Sequence, residues 1–305
     1  MNLQQLRALV TISQTGSLRA AAPLLGVSQP ALSQLLRRLE DNVGSELLQR
    51  STRGVKLTEC GHALLRRARL IEGEVHKARD ELRQIRGMKE GRVSIAVSPI
   101  VGISFVPTAI VAFRKEWPKV SLRVVDALSP NVLPQVLDGS VDFAVGPISD
   151  DEKTDEFEVA EIFENDLVFT ARAGHPRAKA RSLRELVDED WVLTSFLGAP
   201  GKAVLRTFRK AELPFPAPAV ECDSFASLLA LLTGSDLVAF LPRLFVEQQN
   251  VRDLVSIIHV RERIESTPIA VVRNARSPLT PAAQALALEF ERMGKTTKAA
   301  QSAAK

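Results

Sequence analysis

The chain holds 305 residues, 45% of them hydrophobic and 25% charged, and carries a formal net charge of +4. This length supports two or three compact units with cores of their own, and the composition is that of a globular chain rather than a disordered or fibrous one. No apolar run reaches the roughly 18 residues of a membrane helix, and Cys60 and Cys222 are too few for a disulfide framework or a multi-thiolate metal centre.

The first residues lead directly into a helix, without the basic start and apolar core of a secretory signal, so the expected location is the cytoplasm. Residues 17–33 then spell helix, tight turn and helix. Leu18, Ala21, Ala22 and Leu25 share one face through spacings of three and four, and the two alanines are small enough for a second helix to cross closely. Ser17 and Ser28 are placed to cap the two helices, and Pro30 sits in the first turn of the second, where a missing N–H costs little. Pro23 falls inside the first helix and should kink or shorten it. The second helix turns Leu32, Leu35, Leu36 and Leu39 inward. It leaves Gln29, Ser33, Gln34 and Arg37 outward, side chains suited to base edges and phosphates.

Residues 44–58 read as two short strands about the turn 51–54, with Arg53 at its tip and Lys56 close behind. Such a wing can reach phosphates or the minor groove. Residues 1–58 carry seven basic side chains against three acidic ones, an excess of four that equals the whole net charge. On its own this describes a solvated basic face. Joined to a helix-turn-helix, it describes a surface for phosphates.

Thr58 is placed to cap a long helix running to about Arg86. Leu64, Ala68, Ile71, Val75, Ala78, Leu82 and Ile85 recur at alternating spacings of four and three, a narrow heptad seam between charged flanks. Packing on the chain's own body would call for a broader apolar stripe, so the seam predicts a coiled coil with a second copy. Gly87 and Gly91 are expected to end the helix as a hinge.

From Arg92 the period changes. Strands are expected at 93–97, 120–125 and 141–145, with helices at 105–116 and 132–137 between them. A second set follows: strands at 167–171, 191–194, 219–222 and 237–241, with helices near 183–187, 203–211 and 226–232. A strand at 268–272 and a helix from 281 to about 293 return to the first set. Strand and helix in alternation predict parallel sheets with covered faces. The small, polar stretch 296–305 is expected to be disordered.

Ala21-Ala22, Leu25, the run Ser28-Gln29-Pro30-Ala31-Leu32-Ser33, Leu39-Glu40, Gly44 and Leu47-Leu48-x-Arg50 together resemble the N-terminal domain of LysR-type transcriptional regulators. Pro23 departs from that pattern, which usually has a polar residue there. The resemblance implies a winged helix-turn-helix at 1–58 and a linker and dimerisation helix with its hinge at 59–90. It further implies a two-lobed, periplasmic-binding-protein-like α/β effector domain, with lobe I at 91–163 and 268–295 and lobe II at 164–267. The implied partners are promoter DNA, a small-molecule effector, RNA polymerase and further copies of the chain, as a dimer through the linker and a homotetramer overall. DNA contact falls to Ser28, Gln29, Pro30, Ser33, Gln34 and Arg37 on the second helix, and to Arg50, Arg53 and Lys56 in the wing.

Ligands of α/β sheets bind beyond the carboxyl ends of the strands, and in two-lobed proteins between the lobes. Three such ends are polar or glycine-bearing: Ser98-Pro99-Ile100-Val101-Gly102, Gly146-Pro147, and the stretch 194–201 that begins with Thr194 and Ser195. Helix-opening N–H groups beside hydroxyls suit a carboxylate, so a small organic acid is the expected effector. Any α/β fold also needs capped turns there, and spacing alone weighs the two readings equally. The family's effector-binding segments favour a ligand role for Ser98, Pro99, Thr194 and Ser195, and less strongly for Phe225 and Leu241, both of which also suit the core. No histidine has a carboxylate or cysteine at a catalytic or metal-ligand spacing, and no glycine-rich phosphate loop occurs, so neither an enzyme nor a cofactor is expected. Cys60 and Cys222 fall in different units, which rules out a two-thiol redox switch inside the effector domain. An effector-independent DNA-binding regulator is the alternative.

Overall fold

The computed structural model describes residues 1–51, 54–126, 132–193, 198–222 and 224–303. Helix α1 (Leu3–Thr15) opens on Asn2, whose side chain accepts from the Gln5 N–H while Gln5 reaches back to the Asn2 N–H. Ser17 caps α2 (Leu18–Leu24) and Ser28 caps α3 (Gln29–Val43), each by accepting a backbone N–H three residues on. Pro23 lies inside α2, which stops one residue later, the shortening its missing donor demands. Gly44 closes α3 at φ 68, a left-handed position natural to glycine. Leu9, Ile12, Ala21, Leu32, Leu36 and Leu39 form the core of this unit. Leu35, expected inside, is only half-buried at its edge.

Strands β1 (Leu48–Ser51) and β2 (Gly54–Leu57) pair antiparallel as the expected wing. Glu40 Oε1 accepts the N–H groups of Leu47 at 2.9 Å and Leu48 at 3.3 Å, tying the wing to α3. Thr58 caps α4 (Glu59–Ile85), accepting from Gly61 N–H at 2.9 Å.

Lobe I contains β3 (Glu90–Val97), α5 (Pro99–Ser104), α6 (Val106–Glu116), β4 (Lys119–Asp126), α7 (Leu133–Leu137), β5 (Phe143–Pro147) and β6 (Phe157–Asn165). Lobe II contains β7 (Leu167–Arg172), β8 (Trp191–Leu193), α8 (Ala199–Lys210), β9 (Pro218–Glu221), α9 (Phe225–Gly234), β10 (Ala239–Pro242), α10 (Arg243–Val246) and β11 (Val255–Ile257). The chain returns through β12 (Thr267–Asn274) to α11 (Pro281–Ala303). The lobe I sheet has the order β4-β3-β5-β12-β6, and lobe II has β10-β7-β11 and β8-β9, joined by a bridge between Trp191 and Val238. In lobe II, Trp191, Phe169 and Phe208 meet edge to face, with ring centroids 5.8–6.4 Å apart.

Four expectations are corrected. The sheets are mixed rather than parallel: β3 runs parallel to β4 and β5, but β12 is antiparallel to β5 and β6, because it re-enters from the other lobe. Within lobe II, β10 and β11 likewise oppose β7. The helix expected at 183–187 is a single 3-10 turn, Leu183–Leu186. The 296–305 tail is not a loose end throughout, since α11 continues to Ala303. Gly294 does not stop it: a Cβ there would stand 2.4 Å from Ile162 Cβ, so glycine serves the close packing of α11 on β6.

The fourth correction concerns the hinge. Gly87 turns the chain at φ 84, and α4 then packs back along lobe I. A Cβ on Gly91, which has φ 134, would lie 2.9 Å from both Asp80 Oδ2 and Gln84 Nε2. Asp80 accepts from Arg92 N–H at 3.1 Å, while Gln84 donates to Glu90 O and accepts from Ala282 N–H, both at 3.0 Å. Lys77 reaches Ser277 Oγ at 3.2 Å and Asp142 at 3.7 Å. Burial pushes the Asp142 carboxyl up against the pull of the Ser94 N–H, which donates to it at 2.8 Å, and of Lys77. The two glycines thus form a stitched turn rather than a free joint.

Candidate DNA interface and effector cleft

On α3 the apolar row faces the core, and Ser28, Gln29, Pro30, Gln34 and Arg37 are exposed, with Ser33 half-buried. Ser28 Oγ is committed as an acceptor to Ala31 N–H at 3.3 Å, but its own hydrogen is free to donate. Lys56 is exposed on β2 beside Gln49 of β1, and Arg50 pairs with Val55 in the wing ladder. Arg53 lies outside the described residues. Arg19 on α2 and Arg38 on α3 are exposed as well.

The linker seam divides in two. Leu64 and Ala68 pack into the core of the N-terminal unit, because α1 lies across the first turns of α4. Further along, the seam is open: Ile71 is 40% exposed, Leu82 57% and Ile85 68%, Ala78 is exposed and Val75 half-buried. The residues stitched to lobe I, Lys77, Asp80 and Gln84, occupy a different face, so lobe I leaves the open seam uncovered.

Between the lobes lies a small cleft. Lobe I lines it with Ser98, Pro99, Ile100, Pro147 and Asn165, and lobe II with Leu167, Pro200, Phe225, Leu228, Phe240, Leu241 and Pro242. Ser98 starts α5 without a side-chain cap bond, its N–H donating to Val145 O at 2.9 Å. The residue is 3% exposed, and its Oγ has no hydrogen-bond partner among the described residues. An unpaired buried hydroxyl is costly enough to need a reason. Thr267 Oγ1 is a second one, opposite cleft-lining Asn165 across the β12–β6 ladder. Among the described lining residues none is charged.

Five of the nine expected effector residues therefore meet at the cleft. Val101 does not, since it is fully buried in the hydrophobic cluster that runs through both lobes. Gly146 stands behind Ser98, where a Cβ would be 3.2 Å from Ser98 Cβ, so it supports the cleft without lining it. Thr194 and Ser195 lie outside the described residues. Leu241, weighed with Phe225 as a weaker candidate, does line the cleft, whereas Asn165, Phe240 and Pro242 are additions; a polar residue directly before a strand that changes lobe is the signal that marks Asn165. His175 is structural: its Nδ1 accepts from Arg177 N–H and its Nε2 meets Asp236 O, both at 3.0 Å.

Residues 3–62 match the family described as bacterial regulatory helix-turn-helix protein, lysR family, and residues 86–293 match the LysR substrate binding domain. HTH-type transcriptional regulator GbpR of Rhizobium radiobacter is 34% identical over 246 residues, covering 78% of this chain and 80% of that protein. GbpR of Azospirillum brasilense is 28% identical over 287 residues, covering 93% and 84%. A variant of full-length OxyR from Pseudomonas aeruginosa superposes with a TM-score of 0.69 at 20% identity, covering 95% of this chain and 94% of that one. Both GbpR proteins are transcriptional regulators, and the two matches cover the winged unit, the first turn of the linker helix and both lobes: the chain belongs to the LysR family of transcriptional regulators.

Proposed function

We propose that the protein works in the cytoplasm as a dimer or dimer of dimers on promoter DNA, and that a small organic acid bound between the lobes sets its output to RNA polymerase. The exposed row on α3 supports base reading, with Gln29 and Ser33 nearest the base edges and Arg37, Arg50, Arg53 and Lys56 on phosphates. Gln29→Ala should weaken specific binding by roughly 1–3 kcal/mol and leave non-specific affinity nearly intact. A gel-shift series with equal losses on specific and random DNA would remove Gln29 from the base-reading set.

The observation that carries the effector reading is the buried hydroxyl of cleft-lining Ser98, which has no partner among the described residues. It offers a donor to a carboxylate, while Phe225, Leu228 and Phe240 suit an aliphatic or aromatic body. Thr194 and Ser195 are proposed to complete the polar end. Ser98→Ala should leave the ligand-free protein as stable as before or up to about 1 kcal/mol more stable, because it deletes a hydroxyl without a partner among the described residues. The same change should weaken the organic acid that most raises the wild-type melting temperature in a thermal-shift screen. Calorimetry showing undiminished affinity in Ser98→Ala would move the site elsewhere, and a screen without any shift would favour the effector-independent alternative.

A further inference from the structure

Polar side chains join the two lobes on both sides of the cleft. On one side Lys202, two residues beyond cleft-lining Pro200, donates to Asp151 Oδ2 at 2.6 Å and to Ser149 Oγ at 3.4 Å. Both acceptors follow Pro147, the lobe I end of the cleft wall. On the other side Gln248 Nε2, just after α10, donates to Ser104 Oγ at the end of α5 at 3.0 Å.

Lys202 also begins a row. Lys202, Arg206 and Lys210 recur every four residues on α8 and so share one side of that helix. Arg206 pairs with Glu265 at 3.0 Å and Lys210 pairs with the same carboxylate, in the segment that carries the chain back to lobe I. The opening turn of α8 supplies Pro200 to the cleft wall, so the helix that forms the wall also bears the cations that grip the opposite lobe and the return segment.

We propose that the Lys202–Asp151 pair is an interlobe clasp that holds the ligand-free cleft closed, with the Gln248–Ser104 bond as its counterpart on the far side. The Lys202 hydrogen bond, with Ser149 beside it, holds the Asp151 carboxyl down at about 2. A lowered pKa keeps the charge in place at every pH above the ordinary 3.8 and releases it only as pH falls towards 2, so the clasp does not respond to pH near neutrality. Closing the lobes in advance raises the fraction of molecules ready to bind, and apparent affinity scales with that fraction. This holds whatever the chemistry of the effector.

The test is hydrogen exchange on the full-length protein without ligand, in Lys202→Glu, Asp151→Lys and the double reversal. Each single variant should speed exchange several-fold in peptides carrying Ser104 and Gln248, across the cleft from the mutated pair. The double variant should restore the wild-type rate. Lys202 and Asp151 are surface side chains, and melting temperatures check that each variant is folded; Lys202→Met provides a charge-neutral version of the same loss. Exchange confined to the mutated segments, or a double variant no closer to wild type than the singles, overturns the clasp.

Discussion

Aspartate in place of Ile71 and Leu82 is expected to leave the protein folded and to cut its affinity for a two-half-site promoter by roughly 10²–10⁴-fold, the usual gain from joining two binding modules. Both side chains lie on the open part of the α4 seam, 40% and 57% exposed, so the monomer bears the change without a buried charge. In a dimer packed through that seam, four carboxylates would instead be taken out of water with no partner, which is strongly unfavourable. Light scattering should report loss of the linker-mediated dimer, and binding to a single half-site should be almost unchanged. An unaltered assembly state would show that the seam packs elsewhere.

Gly61→Ala is the second large effect, and here the fold itself should fail. A Cβ at this position would stand 2.1 Å from the Leu47 carbonyl oxygen and 3.0 Å from Leu57 Cδ2. The first obstacle is backbone, held in place by the Glu40 bonds to Leu47 and Leu48 and by Thr58 N–H donating to Leu47 O. Neither partner can step aside without opening the joint between wing and linker. Overpacking typically costs about 1–3 kcal/mol, and a clash with pinned backbone belongs at or above the top of that range. DNA binding should be lost with it, while the two lobes keep their own thermal transition. A wild-type melting profile for Gly61→Ala would contradict the close approach of α4 to the base of the wing.

The N-terminal unit is readable from sequence because its signals are local: Ser17 and Ser28 as caps, Gly44 as a left-handed stop and a leucine row of helical period act within a few residues of themselves. The alternation of strands and helices is readable for the same reason. Sheet direction is not, since the antiparallel placement of β12 follows from a return across lobes that no local pattern records. Strand β6, with glutamates at 158, 161 and 164, is not among the expected strands although it forms the charged edge of the lobe I sheet. In the cleft, Ser98 and Phe225 are marked by their places at helix starts. Asn165 and Phe240 come to the site only through the crossovers, and Val101 leaves it because one helical step turns a side chain by about 100°.

The stitching of α4 also makes that helix an arm. Its first turns are built into the DNA-binding core through Leu65 and Ala68, and its last turns are pinned to lobe I through Lys77, Asp80 and Gln84. A helix of 27 residues spans about 40 Å at 1.5 Å per residue. Tilting lobe I by about 5° would therefore swing the recognition helix by about 3.5 Å, close to the ~3.4 Å step between neighbouring nucleotides along one strand. A shift in the lobes too small to disturb their cores is enough to move the reading head by one base.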